Sequence, residues 1–294
     1  MTNMSDSTHP SDRPRVFLIG NPDKPAAIDA LQQVEQIVAA RAQIVGKVLA
    51  HHTDELRSAE PDLVVVLGGD GMMLAVARAL GARQVPLVGV NLGKLGYLAE
   101  FGVQDLADHI DQILQDSQHV SDGMMLDVRI EGDDEPPFTS LAMNDCVVQS
   151  GPPYRMIELA VFADGEALTS LAGDGLIVST PIGSTAHNMA AGGPIVQNGV
   201  DAIVITPICS HSLANRPLVL RSSQAIDVIG VRVNEGTTVT VDGQISSPFR
   251  ENDRLVVRAF DHRFRLVRHP GQSRWHTLLT KLKWGVRPES PPRR

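Results

Sequence analysis

The sequence changes character once, near residue 120, and that change constrains the fold more than any single motif. From Arg15 to about Gln118, short apolar runs alternate with helical patterns. The series is Val16–Ile19, a helix over Ala26 to Ala40, Leu63–Leu67, a helix to Leu80, Val85–Val90, and a helix over Leu106 to Leu114. Such alternation predicts a parallel, Rossmann-like sheet with helices on its faces. Beyond about Ser121 helical periodicity nearly vanishes. Short β-rich runs follow: Met125 to Glu131, Cys146–Val148, Met156 to Ala163, Leu176–Ser179, Ile203–Ile205, Ile226–Ile229, Thr238–Val241 and Leu255–Val257. Turn pairs such as Asp164–Gly165, Asp174–Gly175 and Asp242–Gly243 punctuate them, so this half reads as all-β. Trp275–Leu282 places apolar residues at helical spacing and predicts a final amphipathic helix packing back on the fold. The expected organisation is a disordered tail over 1–14, an α/β unit over 15–120, a β-rich unit over 121–270, the helix within 271–286, and a second disordered tail over 287–294.

A chain of 294 residues with 43% hydrophobic content can bury two cores. Its net charge of −8 offers no electrostatic footprint for nucleic acid or an anionic membrane. A phosphate-bearing ligand must then be held by local N–H groups and a few cations. The two cysteines, Cys146 and Cys209, stand beside apolar residues and read as buried free thiols in a reducing compartment. The polar N-terminus has no signal-peptide core and no apolar run reaches membrane-spanning length, so a soluble, cytoplasmic protein is expected.

The most chemically informative stretch is Gly68-Gly69-Asp70-Gly71, set between the apolar run Asp62–Leu67 and the helix-forming run Met72–Leu80. A strand, a glycine-rich turn and a helix N-terminus form a phosphate-sized nest of N–H groups, favoured by the helix dipole. The glycines Gly68, Gly69 and Gly71 let backbone approach phosphate closely. An acidic side chain there would repel phosphates, and its natural use is to take a proton from a hydroxyl attacking phosphorus. The plain alternative is a tight turn with Asp70 as helix N-cap. Neither GxGxxG nor GxxxxGK[ST] spacing occurs, which counts against an ordinary dinucleotide dehydrogenase and a Walker-type ATPase.

Further segments join this one. They are Asn91-Leu92-Gly93-Lys94-Leu95-Gly96-Tyr97-Leu98, the pair Asn144–Asp145, the long GDGLIVSTPIGSTAHNMAAGGP from Gly173 to Pro194, His211–Pro217, and Val241-Asp242-Gly243-Gln244. In this order, over about Val16 to Pro270, they resemble the NAD kinase family. The resemblance implies an α/β domain joined to a β-rich domain with the active site between them. It implies transfer of the terminal phosphoryl group of ATP, or in some members polyphosphate, to the 2′-hydroxyl of the adenosine ribose of NAD, with Mg²⁺ carried by the nucleotide and no protein metal site. Asp70 would be the general base. Gly71, Asn144, Asp145, Arg155, Asp174, Thr185, Ala186, His187, Asn188, Met189, Ala190 and Gln244 would surround substrate, with Gly68, Gly69, Asn91 and Tyr97 as a second tier. A homodimer or homotetramer is also implied.

Each of these residues has a plain reading too. Asn144–Asp145 and Asp174–Gly175 suit turns, Arg155 a surface cation, Thr185 the N-cap of a short helix, and Tyr97 a pocket-lining aromatic. His187 and His211 show no carboxylate partner that would make them acids or ligands. The long segment departs from the family's TPTGSTAYSLSAGGP: Ile182 replaces Thr, His187 replaces Tyr, and Asn188-Met189-Ala190 replaces Ser-Leu-Ser. Ala172 stands where some members have a basic or polar side chain. These departures bear on affinity and dinucleotide choice. A lipid or sugar kinase sharing the GGDG turn, and a dinucleotide sensor without turnover, are the competing functions.

Overall fold

The structure is a computed structural model that describes residues 13–23, 26–49, 54–93, 96–115, 117–132, 136–273 and 275–283. Lys94 and Leu95, and the two expected tails apart from Arg13 and Pro14, lie outside them. The first half contains β1 (Arg15–Gly20), α1 (Ala26–Ala39), β2 (Gln43–Leu49), α2 (Asp54–Ala59), β3 (Leu63–Leu67), α3 (Asp70–Leu80), β4 (Pro86–Val90) and α4 (Val103–Gln115). Then come β5 (Val120–Gly123), β6 (Leu126–Glu131), β7 (Thr139–Ala142), β8 (Asp145–Gln149), β9 (Ile157–Ala163), β10 (Glu166–Gly173), β11 (Gly175–Ser179) and the short helix α5 (His187–Ala190). The chain continues through β12 (Ala202–Ile208), β13 (Leu218–Arg221), β14 (Ile226–Arg232), β15 (Thr238–Val241), β16 (Ile245–Pro248), β17 (Arg254–Ala259), β18 (Phe264–Val267) and α6 (His276–Lys281).

The first sheet has the order β2-β1-β3-β4-β18-β5 and is parallel except for the last pair. Its central strands bury both faces, which is why they are unbroken apolar runs. Val16, Leu18, Val65 and Leu67 face α1 and α4, while Phe17, Ile19, Val64 and Val66 face α2 and α3. Helix α1 turns Ala27, Ala30, Leu31, Val34 and Val38 inward, one stripe at helical spacing.

Two antiparallel sheets make the second half, ordered β10-β9-β14-β17-β6-β7 and β13-β12-β11-β8-β15-β16. They stack over one core. Leu126, Val128 and Ile130 point into it while Asp127 and Arg129 face out, the alternation expected of a half-buried strand. The chain passes between the sheets at Asp174, with Gly173 ending β10 and Gly175 opening β11. Asp174–Gly175 is therefore a crossing rather than the expected turn. A Cβ on Gly175 would lie 2.1 Å from the Val148 carbonyl, so only glycine permits the crossing. By contrast, Asp164–Gly165 and Asp242–Gly243 do form turns, with φ of 51° and 79°, and 51° and 65°.

Two strands lie elsewhere than the expected boundary near residue 120 would put them. β5 and β18 pair with each other and, through β18, with β4, so the chain returns near its end to complete the first sheet. Phe264 and Leu266 of β18 share a cluster with α3, and Met125 and Met143 of the second half join it. Those contacts bring the GGDG turn against the β-rich half. Glu100, 2% exposed, closes the return with an ion pair to Arg268 at 2.6 Å and by accepting the His269 N–H at 2.9 Å.

Candidate active site

The GGDG turn follows β3 at the carboxyl edge of the parallel sheet, where open α/β folds bind ligands. Gly69 is the N-cap of α3 and Asp70 its first residue, with no side-chain cap. Asp70 is thus not the N-cap of the plain alternative. Its carboxylate instead accepts three backbone N–H groups of the loop after β4: Tyr97 at 2.8 Å on Oδ2, and Leu98 at 2.9 Å and Ala99 at 3.2 Å on Oδ1. Gly96 is needed for this approach, since a Cβ there would stand 2.1 Å from Asp70 Oδ1. The loop fixes the carboxylate in orientation and leaves Oδ2 with capacity for another donor. Burial, then the Asp70 charge, raise the pKa of Tyr97, whose hydroxyl is buried without a hydrogen-bond partner among the described residues. Asn91, at the end of β4, spends its side-chain oxygen on the Gly93 N–H at 2.8 Å.

Gln244 reaches this turn from the β-rich half, its Nε2 donating to the Gly71 carbonyl at 2.8 Å. The same hairpin carries Asp242, whose Oδ1 accepts the N–H groups of Met143, Asn144 and Asp145 at 3.1, 2.7 and 3.2 Å. Asp242 Oδ2 takes the Arg78 guanidinium at 2.9 Å. Asn144 is half-buried, and its side-chain amide makes no hydrogen bond among the described residues. Asp145 is 4% exposed, and its carboxyl makes no hydrogen bond among the described residues. Burial first, and the Asp242 charge second, raise its pKa to about 7. The Asp145 carboxylate can accept from sugar hydroxyls and the Asn144 amide can both donate and accept, so the pair suits a polyhydroxyl ligand.

The segment from Thr180 to Ala190 is tied to this pair. Thr180 donates its N–H to the Asn144 carbonyl at 2.9 Å and its hydroxyl to the Met143 carbonyl at 2.5 Å. Gly183 lies against the same backbone, where a Cβ would meet the Asn144 oxygen at 1.9 Å. Thr185 is not the N-cap of α5. That position is Ala186, and the Thr185 hydroxyl donates back to the Ile182 carbonyl at 3.1 Å. Thr185 and Ile182 line one cavity with Tyr97, so isoleucine extends an apolar wall there. His187 and Ala190 are exposed, and Ala186 and Met189 half-buried.

Asn188 differs from its expected ligand role. It is fully buried, donates to the Ser184 and Pro194 carbonyls at 3.1 and 3.0 Å, and accepts the Thr206 hydroxyl at 2.6 Å. Its amide holds the loop together. Arg155 and Asp174 are also not brought to the cluster. Asp174 lies beyond the Gln149 end of β8, at the end away from Asp145, roughly 17 Å off along the strand. Arg155 is exposed beyond that end, after the cis Pro152–Pro153 bond. Asp174 instead hydrogen-bonds Cys209 and raises its thiol pKa. Cys209 is exposed, against expectation, in the loop after β12 and outside both sheet cores, whereas Cys146 is buried in β8. Both thiols are free.

The sequence pattern does not mark Arg78 or Asp242 as site residues. Arg78 reads as one basic residue in the last turn of a helix, and Asp242 as half of a turn. The available signal was a charged side chain on the otherwise apolar run Met72–Leu80. Among the described residues no three His, Cys, Asp or Glu side chains gather as metal ligands, and no helix is long and apolar enough to cross a membrane.

Residues 45–118 match the ATP-NAD kinase N-terminal domain and residues 143–269 the ATP-NAD kinase C-terminal domain. An NAD kinase of Rhodopirellula baltica is 37% identical over 274 residues, covering 93% of this chain and 88% of that one. An NAD kinase of Trichlorobacter lovleyi is 43% identical over 228 residues, covering 77% and 80%. Among solved structures, yeast NADH kinase complexed with NADH superposes with TM-score 0.79 at 24% identity, over 96% of this chain and 90% of that one. An NAD kinase from Archaeoglobus fulgidus in complex with ATP superposes with TM-score 0.74 at 23% identity, over 92% and 98%. With both domains matched in order and relatives of this identity over most of its length, the chain belongs to the NAD kinase family.

Proposed function

We propose that Asp70 is the general base of an ATP-dependent phosphorylation of NAD to NADP, and that Asn144 and Asp145 hold the ribose being phosphorylated. The activity is that of the family, which sets aside the lipid-kinase and sugar-kinase readings. In the reaction the ribose 2′-oxygen attacks the terminal phosphorus of ATP, its proton passes to an Asp70 oxygen, and the bond to the bridging oxygen of ADP breaks. The observation that carries the assignment is the fixed Asp70 carboxylate, oriented by three N–H groups, with Gln244 bridging its turn to the Asn144–Asp145 strand. Alignment is the main contribution, since positioning and charge neutralisation supply most of the rate in phosphoryl transfer. Mg²⁺ would travel on the donor phosphates and offset their charge. The N–H groups of Gly69, Asp70 and Gly71 at the start of α3 would seat those phosphates, the Gly68 N–H being spent on the Val90 carbonyl at 2.9 Å.

The chain is further proposed to act in the cytoplasm and to assemble with copies of itself. Leu218 and Val219, exposed on the edge strand β13, and Leu213, exposed in the loop before it, support association. Light scattering that finds a monomer at assay concentrations would overturn that part.

The direct test follows NADP formation from NAD and ATP–Mg²⁺ by the full chain and by Asp70→Asn. The substitution keeps the shape and is expected to lower kcat about 10²–10⁴-fold while NAD still binds. No NADP from the unaltered chain would overturn the function, and equal rates would overturn the base assignment. Polyphosphate as donor and NADH as acceptor are parallel arms that define the range of substrates.

A further inference from the structure

We infer that Arg78 is a positioning residue for the reaction, one guanidinium joining the helix that carries Asp70 to the turn that carries Asn144 and Asp145. The inference rests on the roles proposed above for those three residues. Arg78 lies in the last turn of α3, roughly 12 Å along the helix axis from Asp70. Its side chain is only 14% exposed, and the Asp242 carboxylate that it meets is fully buried.

Every arm of the fork has work on the β-rich half. Nε donates to the Leu141 carbonyl at 3.1 Å, Nη1 and Nη2 to Gln244 Oε1 at 3.1 Å each, and Nη2 also to Asp242 Oδ2 at 2.9 Å. Gln244 then returns to the Gly71 carbonyl, one residue after Asp70. Arginine and glutamine together thus brace α3 at both its first and last turns. On the far side, Asp242 gathers the N–H groups of residues 143 to 145 on Oδ1. One carboxylate therefore sets the backbone of the acceptor pair and takes its own position from Arg78.

Stability alone does not call for this arrangement. An apolar side chain in place of the ion pair would serve the packing between halves as well or better. A lysine would keep the charge, but a point charge cannot span three acceptors in a plane. The guanidinium also has an electrostatic role. Asp145 is faced by Asp242 from the β15–β16 turn, with Arg78 behind it on α3, by the Cys146 thiol on its own strand, and by Ser179 opposite it on β11. Arg78 offsets the one negative charge that disfavours ionised Asp145.

The test compares the full chain with Arg78→Lys, Arg78→Gln and the double variant Arg78→Gln/Asp242→Asn. For each, kcat and KM for NAD are measured at saturating ATP–Mg²⁺ across about pH 5 to 9, with thermal melts as the folding control. Arg78→Lys is expected to stay folded yet lose about tenfold or more in kcat, because alignment is lost while charge is kept. Arg78→Gln should move the acid limb of kcat/KM to higher pH. The double variant restores charge balance, so it should melt near the unaltered chain and move that limb back down, with kcat still low. Parent-like kcat in Arg78→Lys, or one unshifted limb in all variants, would overturn the inference. Asp70→Asn and Asp145→Asn run alongside. If those two keep full activity the site assignment itself falls and takes this inference with it. If they lose activity while Arg78→Lys does not, only the role of Arg78 falls.

Discussion

Asp145 holds its carboxyl group almost out of water and beside Asp242, and burial followed by that charge places its pKa at about 7, against 3.8 for the free side chain. The folded chain therefore binds this proton more tightly than the unfolded chain. As pH rises from near 4 to near 7 the unfolded carboxyl ionises first, so stability falls through that window and levels off above it. The full effect is about 4 kcal/mol as an upper figure. Asp145→Asn should flatten the curve, measured as the difference in unfolding free energy between pH 5 and pH 8 in urea titrations. Parallel curves for the two proteins would contradict the account. The same residue shows what sequence can carry. That Asn144–Asp145 is special was legible by family resemblance. That Asp242 supplies the charge beside it was not, because the two are far apart in sequence and meet only through the β8–β15 pairing.

Elements with strong internal patterns were legible, and those defined by neighbours were not. β1, β3 and β4 announce themselves because both faces are buried, and α1 because one face is. β2 escaped notice. It is a half-buried edge strand with Gly46 and Lys47 at its centre, and Gly46 is there because a Cβ would strike the Phe17 ring at 2.2 Å. Asn188 and Thr185 belong to the same class: their motif is recognisable, yet whether each turns toward ligand or toward the fold depends on Thr206, Pro194 and Ile182. At this scale Gly183→Ala is the informative substitution. The added methyl would press on the Asn144 carbonyl, forcing apart the segments that Thr180 joins. Destabilisation of about 1–3 kcal/mol is expected, together with a raised KM for NAD, read by melting and by steady-state kinetics. Unchanged values of both would mean that the loop yields freely.

For the whole molecule, the change in pattern near residue 120 identified two architectures but not their interlock. β18, which fills the place between β4 and β5 in the first sheet, comes from late in the chain, and it is held there by Glu100 through Arg268 and the His269 N–H. A fragment covering residues 1–118 therefore contains every α/β element that the sequence announces and still lacks β5 and β18. It should be poorly folded or aggregated, because β4 would present an unpaired edge and α3 would lose Phe264 and Leu266 from its buried face. Circular dichroism and size-exclusion chromatography of the fragment check this, and a monomer with a cooperative melt would refute it. β18 carries a further consequence for biosynthesis. Asp70 leaves the ribosome early, but the edge beside β4 stays open until Val267 has been translated. Throughout that interval the nascent chain displays an unfilled strand position of its own. Until β18 arrives, that open position is where a second nascent chain could pair, so the interval of synthesis is also the interval of greatest exposure to aggregation.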